Sequence, residues 1–204
     1  MKKILIPLII IISPLFWRGV GGEAFSQTTD STKKQLGLVV KTDILSPILR
    51  LFGDKDLYFD NYVFSFTVEK LLAKRHSVQL TFFESWEQQP NDWQLNQWSL
   101  IPEYKFFVSK KKAHTGYYIG AFGQFLNYNE RDYSPEIGNY KTISVGGGIS
   151  NGVQFYVLKK ITIDALLGFG ILKPIYVYDT YGAQQEDYLS TYTFRSAISI
   201  GYKF

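Results

Sequence analysis

From about residue 35 to the C-terminus, apolar and small or polar residues alternate one by one. The last nine residues, "SAISIGYKF", show it most plainly. Ile198, Ile200, Tyr202 and Phe204 share one parity, and Ala197, Ser199, Gly201 and Lys203 share the other. A period of two puts alternate side chains on opposite faces of an extended chain. With the polar and Gly- or Pro-containing stretches taken as breaks, the alternation predicts eight strands, near 35–45, 61–71, 77–87, 97–108, 116–127, 142–158, 161–173 and 190–204. Only "DILSPILRLF" has a helical flavour, and Pro47 limits it to a short turn. No linker divides the strands, so they form one domain.

The two faces differ in kind. In the second strand Tyr62, Phe64, Phe66 and Val68 oppose Val63, Ser65, Thr67 and Glu69. In the seventh, Ile163, Ala165, Leu167, Phe169 and Ile171 oppose Thr162, Asp164, Leu166, Gly168 and Gly170. The fifth strand is less clean, with aromatics on both faces. A soluble sandwich or barrel buries its aromatic face and exposes one rich in long charged side chains. Here the polar face is mostly Gly, Ser, Thr and Ala with isolated charges. Small residues suit the inside of a narrow barrel, where eight strands leave just enough room for side chains. The aromatic face then meets lipid. The fold class expected is all-β, an eight-stranded antiparallel up-and-down transmembrane β-barrel.

The N-terminus agrees with export. "MKKILIPLIIIISPLFW" joins two lysines to an apolar run from Ile4 to Trp17, too short for a membrane-spanning helix of about 20 residues and typical of a secretory leader. Small residues at Ala24 and Ser26 place cleavage between Ser26 and Gln27. The chain thus divides into a signal peptide (1–26), a short periplasmic N-terminal segment (27–34) and the barrel (35–204). There is no cysteine, which excludes a lipidated-cysteine anchor, disulfides and thiolate metal sites. Three of the 22 basic residues and one of the 18 acidic ones lie in the leader, leaving a net charge of +2 that gives no argument for nucleic acid.

Connector lengths set an orientation. The links "AKRH", "SKKKAHTG" and "KK" are short and basic, whereas "LFGDKDLYFDN", "EQQPNDWQLNQ", "YNERDYSPEIGN" and "DTYGAQQEDY" are longer and carry most of the acids. Short periplasmic turns and longer extracellular loops are the outer-membrane arrangement. Both termini then face the periplasm. Tyr58, Tyr62, Trp86, Trp98, Tyr128, Tyr176 and Tyr192 gather at the loop-side strand ends, where an interfacial girdle is expected.

Several stretches carry a resemblance. "NYVFSFTVEKLLAKRHSV", "QWSLIPEYKFF", "GYYIGAFGQFLNY" and "GGGISNGVQFYVLKKITIDALLGFGI" resemble a family of small Bacteroidetes-type outer-membrane β-barrels of unassigned function. Its marks are Glu69 before a basic turn, Trp98 through Pro102 and Glu103 to Tyr104, the glycines between 146 and 152, and Gly168 with Gly170. Asn151–Gly152–Val153 departs from it, since family members more often flank that glycine with aromatics. The resemblance implies membrane residence and no established activity. More distantly, the chain resembles small barrels serving in surface adhesion or envelope stability. The closing strand, with Ile198, Ile200, Tyr202 and Phe204, resembles the signal read by the outer-membrane barrel assembly machinery.

Little suggests catalysis. His76 and His114 fall in or beside short basic turns, away from the extracellular rim, and are expected to be solvated there. No HExxH, phosphate-loop or EF-hand spacing occurs, and "GGGISNG" reads as a narrow-bore or bulged strand. No catalytic residue, metal site or cofactor is assigned. The polar constellation is a set of inward charges by parity: Lys41, Asp43, Glu69, Glu103, Lys105, Asp164 and Arg195. In a dry interior these must pair, with Arg195 expected to meet Asp43 on the neighbouring first strand. The sequence therefore points to a non-enzymatic barrel in the outer membrane of a Gram-negative bacterium, envelope-structural or interacting through its four long loops. The alternative is a narrow channel or transporter for a small solute or lipid, and a lipid-modifying enzyme ranks third. Expected partners are outer-membrane lipid and lipopolysaccharide, the assembly machinery during biogenesis, and a surface partner of unknown identity, with no nucleic acid.

Overall fold

In the computed structural model the described residues are 37–45, 62–88, 94–109, 114–131, 139–179 and 190–204. The leader, its cleavage at Ser26–Gln27, segment 27–34, the helical turn past Leu45 and Tyr58 lie outside them.

Eight strands follow in chain order: β1 Leu38–Asp43, β2 Tyr62–Ala73, β3 His76–Gln88, β4 Gln94–Phe107, β5 Gly116–Arg131, β6 Asn139–Val157, β7 Ile161–Asp179 and β8 Thr191–Lys203. Each is hydrogen-bonded to the next, and β8 returns to β1 to close the barrel. At the seam Val40 faces Tyr202 and Thr42 faces Ile200, antiparallel. The Phe204 amide donates to the Leu38 carbonyl at 2.9 Å, so the ladder runs to the last residue. Closure leaves no unpaired strand edge among the eight.

The strand bounds differ from the sequence expectation at one end. β4 begins at Gln94, β5 runs to Arg131, β6 begins at Asn139 and β7 runs to Asp179. The extensions of β4, β5 and β6 are largely polar, and pairs such as Arg131 with Asn139 carry the ladder past the last apolar position; that of β7, "PIYVYD", loses its alternation at the register shift opposite Ile143 and Ser144. Backbone pairing propagates along a hairpin whether or not the side chains alternate, so alternation underestimates strand length there. β1 is shorter than expected. Asp43 accepts hydrogen bonds at Oδ1 from the Leu45 and Ile198 amides, each at 3.1 Å, and the first of these turns the chain out of its strand.

Burial is inverted relative to a soluble barrel. Outward, Ile149, Phe194 and Phe169 are 69%, 66% and 53% exposed, while inward Glu69, Lys105 and Gln154 are 0% exposed. Tyr118, Phe107 and Leu166 form a small apolar cluster inside the bore. The bore narrows enough that glycine is required where a large side chain crosses it. A Cβ at Gly152 would lie 2.4 Å from the Tyr118 hydroxyl, and one at Gly201 would lie 2.6 Å from the Lys41 stem. β6 and β8 thus yield the space that Tyr118 and Lys41 occupy.

One girdle expectation changes. Trp86, Tyr176 and Tyr192 are exposed on the outer wall. Tyr128 instead shares the inward parity of Tyr118 and Phe122 on β5, faces inward-pointing Thr142 across the ladder, and donates to Glu130 at 3.0 Å. Strand parity, not aromatic character, decides its side.

Candidate functional site: the charged lumen

The inward positions of all eight strands converge on two ion clusters. The one nearer the short turns is built on Asp164 of β7. Its Oδ2 accepts from Lys41 at 2.7 Å and Lys105 at 2.6 Å, and its Oδ1 accepts from the Tyr118 hydroxyl at 2.8 Å. Lys41 also pairs with Glu69 at 2.5 Å and donates to the Gln154 side-chain carbonyl at 2.8 Å. The second Glu69 oxygen accepts from Ser77 at 2.5 Å. Lys105 lies with its ammonium 4.2 Å from the centre of the Tyr118 ring. Two ammoniums thus meet two carboxylates.

The second cluster is built on Glu103 of β4. Gln79 donates to it at 2.9 Å, Ser150 at 2.5 Å and Arg195 at 3.3 Å. The Arg195 guanidinium lies 4.6 Å from the centre of the Phe122 ring. This corrects the expected Arg195–Asp43 pairing. Arg195 crosses the bore to Glu103, while the Oδ1 of Asp43 accepts from the backbone amides of Leu45 and Ile198. The stagger between strands places Asp43 opposite Ser199, farther from the loop end of β8 than Arg195.

Six charges in two neutral groups can stay ionised in a low dielectric because each is paired and hydrogen-bonded. The sequence reading of charges alone missed Tyr118, Gln154, Ser77, Gln79 and Ser150, which complete the network. Their parity was legible, but a lone Tyr or Gln on an inward face carries no mark that singles it out. Between the clusters lies a cavity of about 30 Å³ bordered by Lys41, Asp164, Arg195 and Ser199. That is room for about one water.

The histidines differ from expectation. His76 is half-buried at the start of β3, with Nδ1 2.5 Å from the Tyr104 hydroxyl. His114 is 7% exposed rather than solvated. Its backbone takes φ 52°, its amide donates to the Lys74 carbonyl at 3.2 Å, and its ring sits edge-on to Phe107 with centroids 5.6 Å apart. The His114 ring thus caps the bore beneath Phe107. A histidine within a basic run gives no sign of that.

Burial lowers the His114 pKa below the ordinary 6.5, and this outweighs the opposing hydrogen bonds of the Ala73 and His76 backbones and the nearby Glu69. The unfolded chain then takes up the proton first. This contribution to stability is complete above about pH 6.5 and is lost as pH falls below it. Unfolding midpoints in urea should fall from pH 7.5 to 5.5 in wild type, with a shallower slope in His114→Asn. Equal slopes would refute this role for His114.

A closed ring of eight antiparallel strands with an apolar outer wall and an ionic, side-chain-filled lumen is the construction of a small transmembrane β-barrel. Within that class, the chain belongs to the family described as "Protein of unknown function (DUF3575)", whose model matches residues 56–202. No curated protein matches it. Among solved structures it is similar to the N-terminal β-barrel domain of OprF from Pseudomonas aeruginosa, at 14% identity over 83% of this chain and 98% of that one, with a TM-score of 0.43. It is also similar to Neisserial surface protein A (NspA), at 13% identity over 82% and 94%, with a TM-score of 0.43.

Proposed function

We propose that this protein is a non-enzymatic integral barrel of the Gram-negative outer membrane, acting as an envelope-structural or surface-interaction protein through its four long loops. The observation that carries this reading is the inverted burial, with apolar side chains outside and a paired, filled lumen within. The short connections Lys74–Arg75 and Leu158–Lys160 would lie in the periplasm and the long ones at the cell surface. Outer-membrane lipid would surround the wall. The barrel assembly machinery would engage β8 through Ile198, Ile200, Tyr202 and Phe204.

The test is ion conduction. Phe107, Tyr118, Lys105 and Gln154 are fully buried across the bore. Purified monomer in planar bilayers should therefore show no stable channel steps at moderate voltage. Water-filled porins need about twice this number of strands. The small cavity between the ion clusters favours a second reading, a narrow channel whose pairs open to let a solute through. Reproducible, long-lived conductance from monomer would establish that reading over the first.

A further inference from the structure

One part of the outer wall is unlike the rest. Successive outward rows across β4, β5 and β6 run from apolar to cationic. Leu100, Phe125 and Val145 form one row, then come Trp98, Asn127 and Ile143. Above these, Trp86 of β3 aligns with Asn96, Asn129 and Lys141, and Gln94 aligns with Arg131. On β7 and β8 the outward rows stay apolar and aromatic further toward this end, with Phe169 beside Phe194 and Ile171 beside Tyr192, before Lys173 of β7. The polar rows enclose a groove of about 130 Å³ lined by Trp86, Gln94, Asn96, Asn129 and Arg131. Arg131 and Lys141 make no ion pair among the described residues. Glu84 is the nearby outward acid, and it lies on β3, beside Trp98 one row nearer the membrane centre.

We propose that this groove binds the phosphorylated-sugar headgroup of an outer-leaflet glycolipid. The inference rests on the membrane-barrel reading, which sets the apolar rows in acyl chains and these rows at headgroup depth. Arg131 and Lys141 supply charge-assisted donors for phosphate. Gln94, Asn96 and Asn129 each carry a donor and an acceptor, matching sugar hydroxyls. Trp86 offers an amphipathic ring at the boundary of acyl chain and sugar.

The probe is bisphosphorylated lipid A, titrated against the full chain refolded in detergent and read by native mass spectrometry. Dephosphorylated lipid A should bind about tenfold more weakly, about 1.4 kcal/mol. The double variant R131Q/K141Q should lose about as much for the phosphorylated lipid. K173Q, an exposed outward lysine of β7 away from the groove, should bind as wild type. Equal binding by R131Q/K141Q, or an equal loss in K173Q, would overturn the site. Complete displacement by millimolar inorganic phosphate would show a free-anion site and overturn the lipid assignment. Heat-modifiable migration and protease-protected insertion into vesicles are scored separately for every variant. A folded, inserted barrel without headgroup selectivity refutes the groove alone, whereas failure to insert refutes the membrane-barrel reading with it.

Discussion

Asp164→Asn should destabilise the folded barrel by about 3–5 kcal/mol, the range for breaking a buried ion pair from one side. The substitution keeps the shape of the side chain, so packing is unchanged and charge is what is lost. Lys105 would keep the Tyr118 ring and the more distant Glu69, and Lys41 would keep Glu69 and Gln154. The cluster would then hold two ammoniums against one carboxylate. Adding Lys105→Met restores neutrality with a side chain of similar reach, so the double variant should recover more than half of the loss. Urea unfolding in lipid vesicles reads both. A single variant within about 1 kcal/mol of wild type, or a double variant no better than the single, would show that the lumen is wet enough to screen these charges.

Ile198→Arg should cost about 2–4 kcal/mol, whereas Tyr192→Arg should cost about 0–1 kcal/mol, because a cation is expensive at the bilayer midplane and cheap at its edge. Both positions face outward on β8. Ile198 lies beside Ala165, midway along the strand, and Tyr192 lies beside Ile171 at the loop end. The more obvious partner, Ser199→Arg, is a poor control, because Ser199 borders the cavity of about 30 Å³ next to Lys41 and Arg195. An arginine there would overfill the bore at about 1–3 kcal/mol and add a third cation. Equal costs at 198 and 192 in vesicles would refute the depth assignment. Equal stabilities of all variants in detergent alone would not bear on it, since detergent imposes no fixed depth.

The features legible along the chain are those that a single strand can encode. Alternation separates Ile198, Ile200 and Tyr202 from Ser199 and Gly201 without reference to any other strand, because the side-chain period of an extended chain is two. From that follow eight strands, an apolar wall and a polar lining. The length contrast between connectors follows in the same way, as do the inward parities of Lys41, Glu69, Glu103, Lys105, Asp164 and Arg195. The tertiary structure decided which of those charges meet. Arg195 reaches Glu103 rather than Asp43, and Lys41 on the first strand shares Asp164 of the seventh with Lys105 of the fourth. It also folded His114 under Phe107 and set the outward Asn96, Asn129 and Lys141 in one row. Each of these depends on the axial stagger between strands and on how far each strand tilts as the sheet closes. That stagger belongs to the whole ring, so no one strand's alternation can carry it.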